Sequence, residues 1–112
     1  MSKITAIKNN RDFMNLYRRG KKIDTPLFVI YYRKNRYYEK RLGITVSKKL
    51  GNAVKRNRTR RIIREAYRNV EETLNNGWDI VIVAKYKATL MKEKNIEVIL
   101  RENIPNELLK SK

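Results

Sequence analysis

The run "WDIVIVAK", residues 78–85, constrains the fold of this chain more than any other stretch. Ile80, Val81, Ile82 and Val83 are apolar at both parities. Successive side chains of a strand point to opposite faces, so such a strand is buried on both. The segment therefore predicts the centre of a sheet, and the remaining elements have to supply its neighbours and its two covers.

Those elements follow from local signals. "NNRDFMNLYRR", residues 9–19, offers Asn9 or Asn10 as an N-cap, Phe13, Leu16 and Tyr17 at helical spacing, and Gly20 as a stop. "TPLFVIYYR", residues 25–33, begins after a proline and is rich in β-branched and aromatic residues, as a strand is. In "RLGITVS" Leu42, Ile44 and Val46 alternate with Gly43, Thr45 and Ser47, which predicts one buried face and one polar face. These two strands are expected to pair as an antiparallel hairpin through "KNRYYEK".

A helix is predicted from about Ala53 to about Leu74, preceded by Gly51 and Asn52 and closed by Gly77 in the left-handed conformation. A last helix carries Leu90, Ile96, Ile99 and Leu100 and ends at Pro105. The order is α-β-β-α-β-α, with a short extra strand near Lys22 to Asp24. It predicts an α+β chain: a single-domain α/β sandwich, residues 1–112, with the helices on one sheet face.

Charge restricts function more than fold. The 112 residues hold 28 Lys plus Arg against 11 Asp plus Glu, a formal charge of +17. A polyanionic partner is implied, and nucleic acid leads, because neutralising phosphates releases condensed counterions. An acidic membrane surface fits less well, since the strongest helix lacks the Trp, Phe and Leu loading of an interfacial helix. With no apolar run of about 18 residues and no signal-peptide pattern, the expectation is a cytoplasmic protein without membrane attachment.

Histidine and cysteine are both absent. That removes the usual general base, the thiol nucleophile and most zinc sites. Asp12, Asp24 and Asp79 are scattered, and Glu71 and Glu72 stand side by side at a helix end, so a two-metal carboxylate site is not indicated. No phosphate-cradling glycine loop is present, and no small-molecule substrate or catalytic side chain is expected.

The chemistry concentrates in "GNAVKRNRTRRIIREAYR", residues 51–68. At about 100° per residue, Thr59, Ile62, Ile63, Ala66, Val70 and Leu74 form one apolar sector. Asn57, Arg60, Arg61, Arg64 and Arg68 fall almost opposite, with Arg56 and Arg58 at the margins. A solvated helix face usually mixes signs, whereas Glu65 alone is acidic between Lys48 and Arg68. Arginine also binds phosphate bidentately and stacks on bases, which a merely solubilising face does not need. Lys48 and Lys49 extend the patch at the helix start, where free N–H groups add partial positive charge. Asn57 reads equally as a phosphate or 2′-hydroxyl ligand and as a plain exposed side chain. Phe13, Tyr17 and Tyr31 read as core or as stacking platforms for single-stranded nucleic acid.

"RLGITVSKKLGNAVKRNRTRRIIREAYR", with its Arg56-Asn57-Arg58 triplet, resembles the Arg-Asn-Arg segment of the bacterial ribonuclease P protein family. "RDFMNLYRRGKK", "PLFVIYYR" and "GWDIVIVAK" are similar to that family's first helix, long strand and last strand. The resemblance spans roughly residues 8–102. It implies a ribosomal protein S5 domain 2-like fold with a left-handed β-α-β crossover. It also implies a protein cofactor of an RNA enzyme that removes the 5′ leader of precursor tRNA, with Mg²⁺ held mainly by the RNA subunit and substrate. On matching positions Lys48, Lys49, Arg56, Asn57, Arg58, Arg60, Arg61, Arg64 and Arg68 would face RNA, and Phe13, Tyr17 and Tyr31 would line a cleft for the leader. Tyr17 stands where relatives are expected to carry phenylalanine, so stacking, hydrogen bonding and packing all stay open for it. A ribosomal or ribosome-assembly protein is the main alternative, then an architectural DNA-binding protein, then a nuclease acting alone.

Overall fold

The computed structural model describes residues 4–110. In chain order the elements are β1 (Thr5–Ala6), α1 (Asn10–Arg19), β2 (Lys21–Asp24), β3 (Phe28–Lys34), β4 (Arg41–Thr45), α2 (Ala53–Val70), β5 (Trp78–Ala84) and α3 (Glu93–Asn103). The strands form one mixed sheet in the order β1-β4-β5-β3-β2. The apolar run at 78–84 is its central strand, as the two-sided pattern requires.

The expected hairpin does not form. β3 runs antiparallel to β5, with Phe28 opposite Ala84 and Lys34 opposite Trp78. β4 runs parallel to β5 on the other side, with Arg41 opposite Asp79. β5 lies between them because a fully apolar strand has to satisfy backbone groups on both edges inside the protein. The β3–β4 connection instead wraps the start of β5: Asn35 N–H donates to the Gly77 carbonyl at 2.7 Å and Gly77 N–H to the Glu39 carbonyl at 3.1 Å. α2 links the parallel strands β4 and β5 as a β-α-β crossover. The short strand near Lys22 to Asp24 is β2, paired with β3.

The helices also divide between the faces rather than sharing one. Ile80 and Ile82 of β5 pack with Ile63, Ala66, Tyr67 and Val70 of α2 and with Ile96 and Leu100 of α3. Val81 packs on the other face with Leu16 of α1 and Ile7, next to Phe13, Tyr31 and Val83. Each fully buried aliphatic or aromatic side chain adds about 1.5–3 kcal/mol, so the larger α2–α3 side carries most of the stability. Tyr31 and Tyr32 point to opposite faces, as strand geometry demands.

Three boundaries differ from expectation. α2 stops at Val70 and tightens into a 3₁₀ turn, and Leu74 forms an isolated bridge with Leu109. Gly77 does adopt a left-handed φ of +92°, but at the start of β5 and not as the helix cap. Leu90 lies in a 3₁₀ turn and is exposed, because α3 begins only at Glu93, where the Lys92 N–H is capped by Asn95 Oδ1 at 3.1 Å.

Candidate RNA interface

α2 is anchored at its start by Asn52, whose Oδ1 accepts the Lys55 N–H at 2.9 Å. Thr59, Ile63, Ala66, Tyr67 and Val70 are buried against the sheet, which turns Asn57, Arg61 and Arg64 to the surface and leaves Arg60 half-covered. Tyr67 belongs to this buried stripe too, four residues after Ile63 and three before Val70, and widens the apolar sector read from the sequence. Asn57 accepts from Arg60 Nη1 at 2.9 Å, so it holds a neighbouring guanidinium in place within the row.

The structure does not keep the whole basic set together. Asn57, Arg60, Arg61 and Arg64 line one groove of about 460 Å³ whose opposite wall is Ala6, Ile7, Phe13 and the Leu42–Ile44 stretch of β4. Arg56 folds back, its Nε donating to the Gly51 carbonyl at 3.2 Å. Arg58 leaves the row toward α3, donating to the carbonyls of Thr89 at 3.3 Å and Met91 at 3.5 Å. Arg68 approaches Glu65 at 3.5 Å. Lys48 and Lys49 are exposed on the 3₁₀ turn before α2.

Phe13, Tyr17 and Tyr31 form one chain of rings. Phe13 and Tyr17 centroids are 6.4 Å apart, and Tyr17 meets Tyr31 edge-on at 5.0 Å. Tyr17 is 37% exposed, and its hydroxyl lies 3.1 Å from Thr45 Oγ1. Lys22 Nζ stands 6.0 Å from the Tyr31 ring. A second hollow of about 500 Å³, lined by Asn10, Phe13, Met14, Tyr17 and Thr45, adjoins the arginine groove through Phe13. Apolar rings beside a row of guanidinium groups suit a strand whose bases stack while its phosphates meet cations.

Gly43 is a site residue that strand periodicity alone does not single out. A β-carbon there would stand 2.6 Å from Phe13 Cε1 and Cζ, so the bare glycine is what lets the ring lie on β4. A glycine inside a strand signals close approach of another group, and Gly43 carries that signal in "RLGITVS". Thr45, by alternation only a polar strand position, orients Tyr17.

Asp12 and Asp79, far apart in the sequence, meet at Arg41. Asp79 and Asp12 both bind Arg41, at 2.7 and 3.0 Å, and Asp24 pairs with Lys85. Among the described residues no cluster of three or more acidic side chains could hold a metal ion. The paired carboxylates raise the Arg41 pKa above its ordinary value, Asp79 contributing most. Among the described residues no helix is long and apolar enough to cross a membrane.

A mixed sheet flanked by an arginine-rich helix and an aromatic groove defines a small RNA-binding protein. The ribonuclease P family model matches residues 1–104. The ribonuclease P protein component of Clostridium botulinum (strain 657 / Type Ba4) is 41% identical over 99 residues, 88% of this chain and 89% of that protein. That of Clostridioides difficile (strain 630) is 42% identical over 93 residues, 82% of each. The Staphylococcus aureus RNase P protein superposes with a TM-score of 0.80 at 37% identity, covering 90% of this chain and 93% of that one. The Thermotoga maritima RNase P protein gives 0.78 at 30% identity, covering 87% and 92%. This chain belongs to the ribonuclease P protein family and is a protein subunit of that ribonucleoprotein enzyme; a ribosomal role is not favoured.

Proposed function

We propose that the α2 face of Asn57, Arg60, Arg61 and Arg64, extended by Lys48, Lys49 and the marginal Arg56, Arg58 and Arg68, docks on the catalytic RNA. Phe13, Tyr17 and Tyr31 receive the single-stranded 5′ leader of precursor tRNA. The RNA subunit performs the hydrolysis, with Mg²⁺ held mainly by RNA and substrate. The observation that carries this reading is that the arginine groove and the aromatic hollow share Phe13 as a wall. Two hollows that meet at Phe13 can hold phosphates and unstacked bases of the same strand, or of two strands meeting there.

Cationic side chains that neutralise phosphates of the folded RNA substitute for part of its counterion demand. Adding the protein should therefore raise single-turnover cleavage by the partner RNA most at low Mg²⁺. Rates unchanged by the protein across a Mg²⁺ titration would refute the cofactor role.

A further inference from the structure

We propose that the flank of α1 turned away from the aromatic hollow, with the β3–β4 connection, forms a second groove for single-stranded RNA. The proposal rests on the RNA-binding reading above and extends it to a surface which that reading does not use. Arg11, Arg19, Arg33, Lys34 and Arg36 line a groove of about 360 Å³. None of the five has an ionic partner among the described residues. The acids on its floor, Asp12 and Asp79, are already bound to Arg41. Five rim cations thus stand over a floor that keeps one net negative charge, and a polyanion supplies the missing compensation.

This surface is separate from the first. At about 100° per residue, Arg11, Asn15 and Arg19 occupy a sector of α1 about 180° from Phe13 and Tyr17. The turn beside it is built in advance: Asn35 Oδ1 accepts the Tyr37 N–H at 2.9 Å, while Asn35 Nδ2 donates to Asp79 Oδ1 at 2.8 Å. Tyr37 lies over the Arg41 guanidinium at 4.3 Å and is 59% exposed. Tyr38 is 82% exposed and adopts a left-handed φ of +53°. Exposed rings flanked by cations decide between nucleic-acid forms: a duplex keeps its base faces stacked inside, whereas a single strand offers them.

The test measures binding of a fluorescein-labelled single-stranded oligouridylate to the intact protein as a function of salt. Replacing Arg19, Arg33 and Arg36 with glutamine should make the slope of log affinity against log salt shallower by about 2, at about 0.7 for each phosphate no longer neutralised. An unchanged slope overturns the second groove. Tyr37→Leu should weaken the single strand about 5-fold or more and leave duplex RNA unaffected; equal losses on both overturn the single-strand assignment. 4-Thiouridine cross-linking of the unaltered protein should label residues 33–38, and labelling confined to α2 and the Phe13 hollow overturns it independently of any variant's folding. A parallel Arg60→Gln/Arg61→Gln/Arg64→Gln variant separates the two readings. If only that variant flattens the slope, the second groove fails and the first stands; if neither does, RNA binding through these faces fails as a whole.

Discussion

The Phe13 ring occupies the space that any side chain at Gly43 would need: a β-carbon at Gly43 would stand 2.6 Å from Phe13 Cε1 and Cζ and 3.2 Å from Val81 Cγ2. The packing joins α1 to β4 across the sheet, and it sets the height of the ring in the groove opposite Arg60, Arg61 and Arg64.

Gly43→Ala should therefore push Phe13 outward. Overpacking of this kind costs about 1–3 kcal/mol, measurable by urea unfolding, and the displaced ring should weaken leader-bearing RNA several-fold. Unchanged stability together with unchanged binding would show that the groove tolerates the added carbon and that its height is not set here.

Phe13→Ala and Tyr31→Ala should weaken binding of precursor tRNA and spare mature tRNA, because only the precursor carries a strand to stack. Removing one stacking ring corresponds to about 1–3 kcal/mol per base. Equal losses for both RNAs would place the leader elsewhere. Tyr17→Phe keeps the ring but removes the hydroxyl facing Thr45 Oγ1, so it should change affinity far less than Tyr17→Ala.

Neutralising Arg60, Arg61 and Arg64 with glutamine should reduce holoenzyme assembly and flatten its salt dependence. Each duplex phosphate that is no longer neutralised lowers the slope by about 0.9. Arg58→Gln should have a smaller effect on assembly, since its guanidinium is held by the Thr89 and Met91 carbonyls on the α3 side.

Arg41→Met should be the most destabilising surface-proximal substitution. Its side chain is only 11% exposed, and it joins Asp12 on α1 to Asp79 on β5. Removing it leaves two nearly buried carboxylates without a cation, at a cost of about 3 kcal/mol or more in urea unfolding. A loss below about 1 kcal/mol would mean that the triad is solvated well enough to need no cation.

Tyr67→Phe should leave stability unchanged or raise it by up to about 1 kcal/mol. The Tyr67 hydroxyl is buried and has no hydrogen-bond partner among the described residues, and burial raises its pKa, with Glu71 adding to the shift. A clear loss on the same unfolding assay would show that the hydroxyl is satisfied in solution.

Most elements, though not β1 at Thr5–Ala6, and the polarity of their faces were legible in the residues alone. Two-sided apolarity in "WDIVIVAK" made β5 central, and the 3.6-residue period of α2 separated Ile63 and Ala66 from Arg61 and Arg64. The scarcity of acidic residues along that helix, where Glu65 stands alone, already pointed to a nucleic-acid partner. Which strands are neighbours follows from packing between elements, not from any one of them. Alternation in "RLGITVS" says which face is buried but not which edge is paired, so it cannot show that β5 enters between β3 and β4. For the same reason it could not place α1 on the face opposite α2 and α3, or bring Phe13 onto Gly43. Periodicity orients a side chain relative to its own element, whereas packing between elements depends on how two-sided strands are covered once the chain closes.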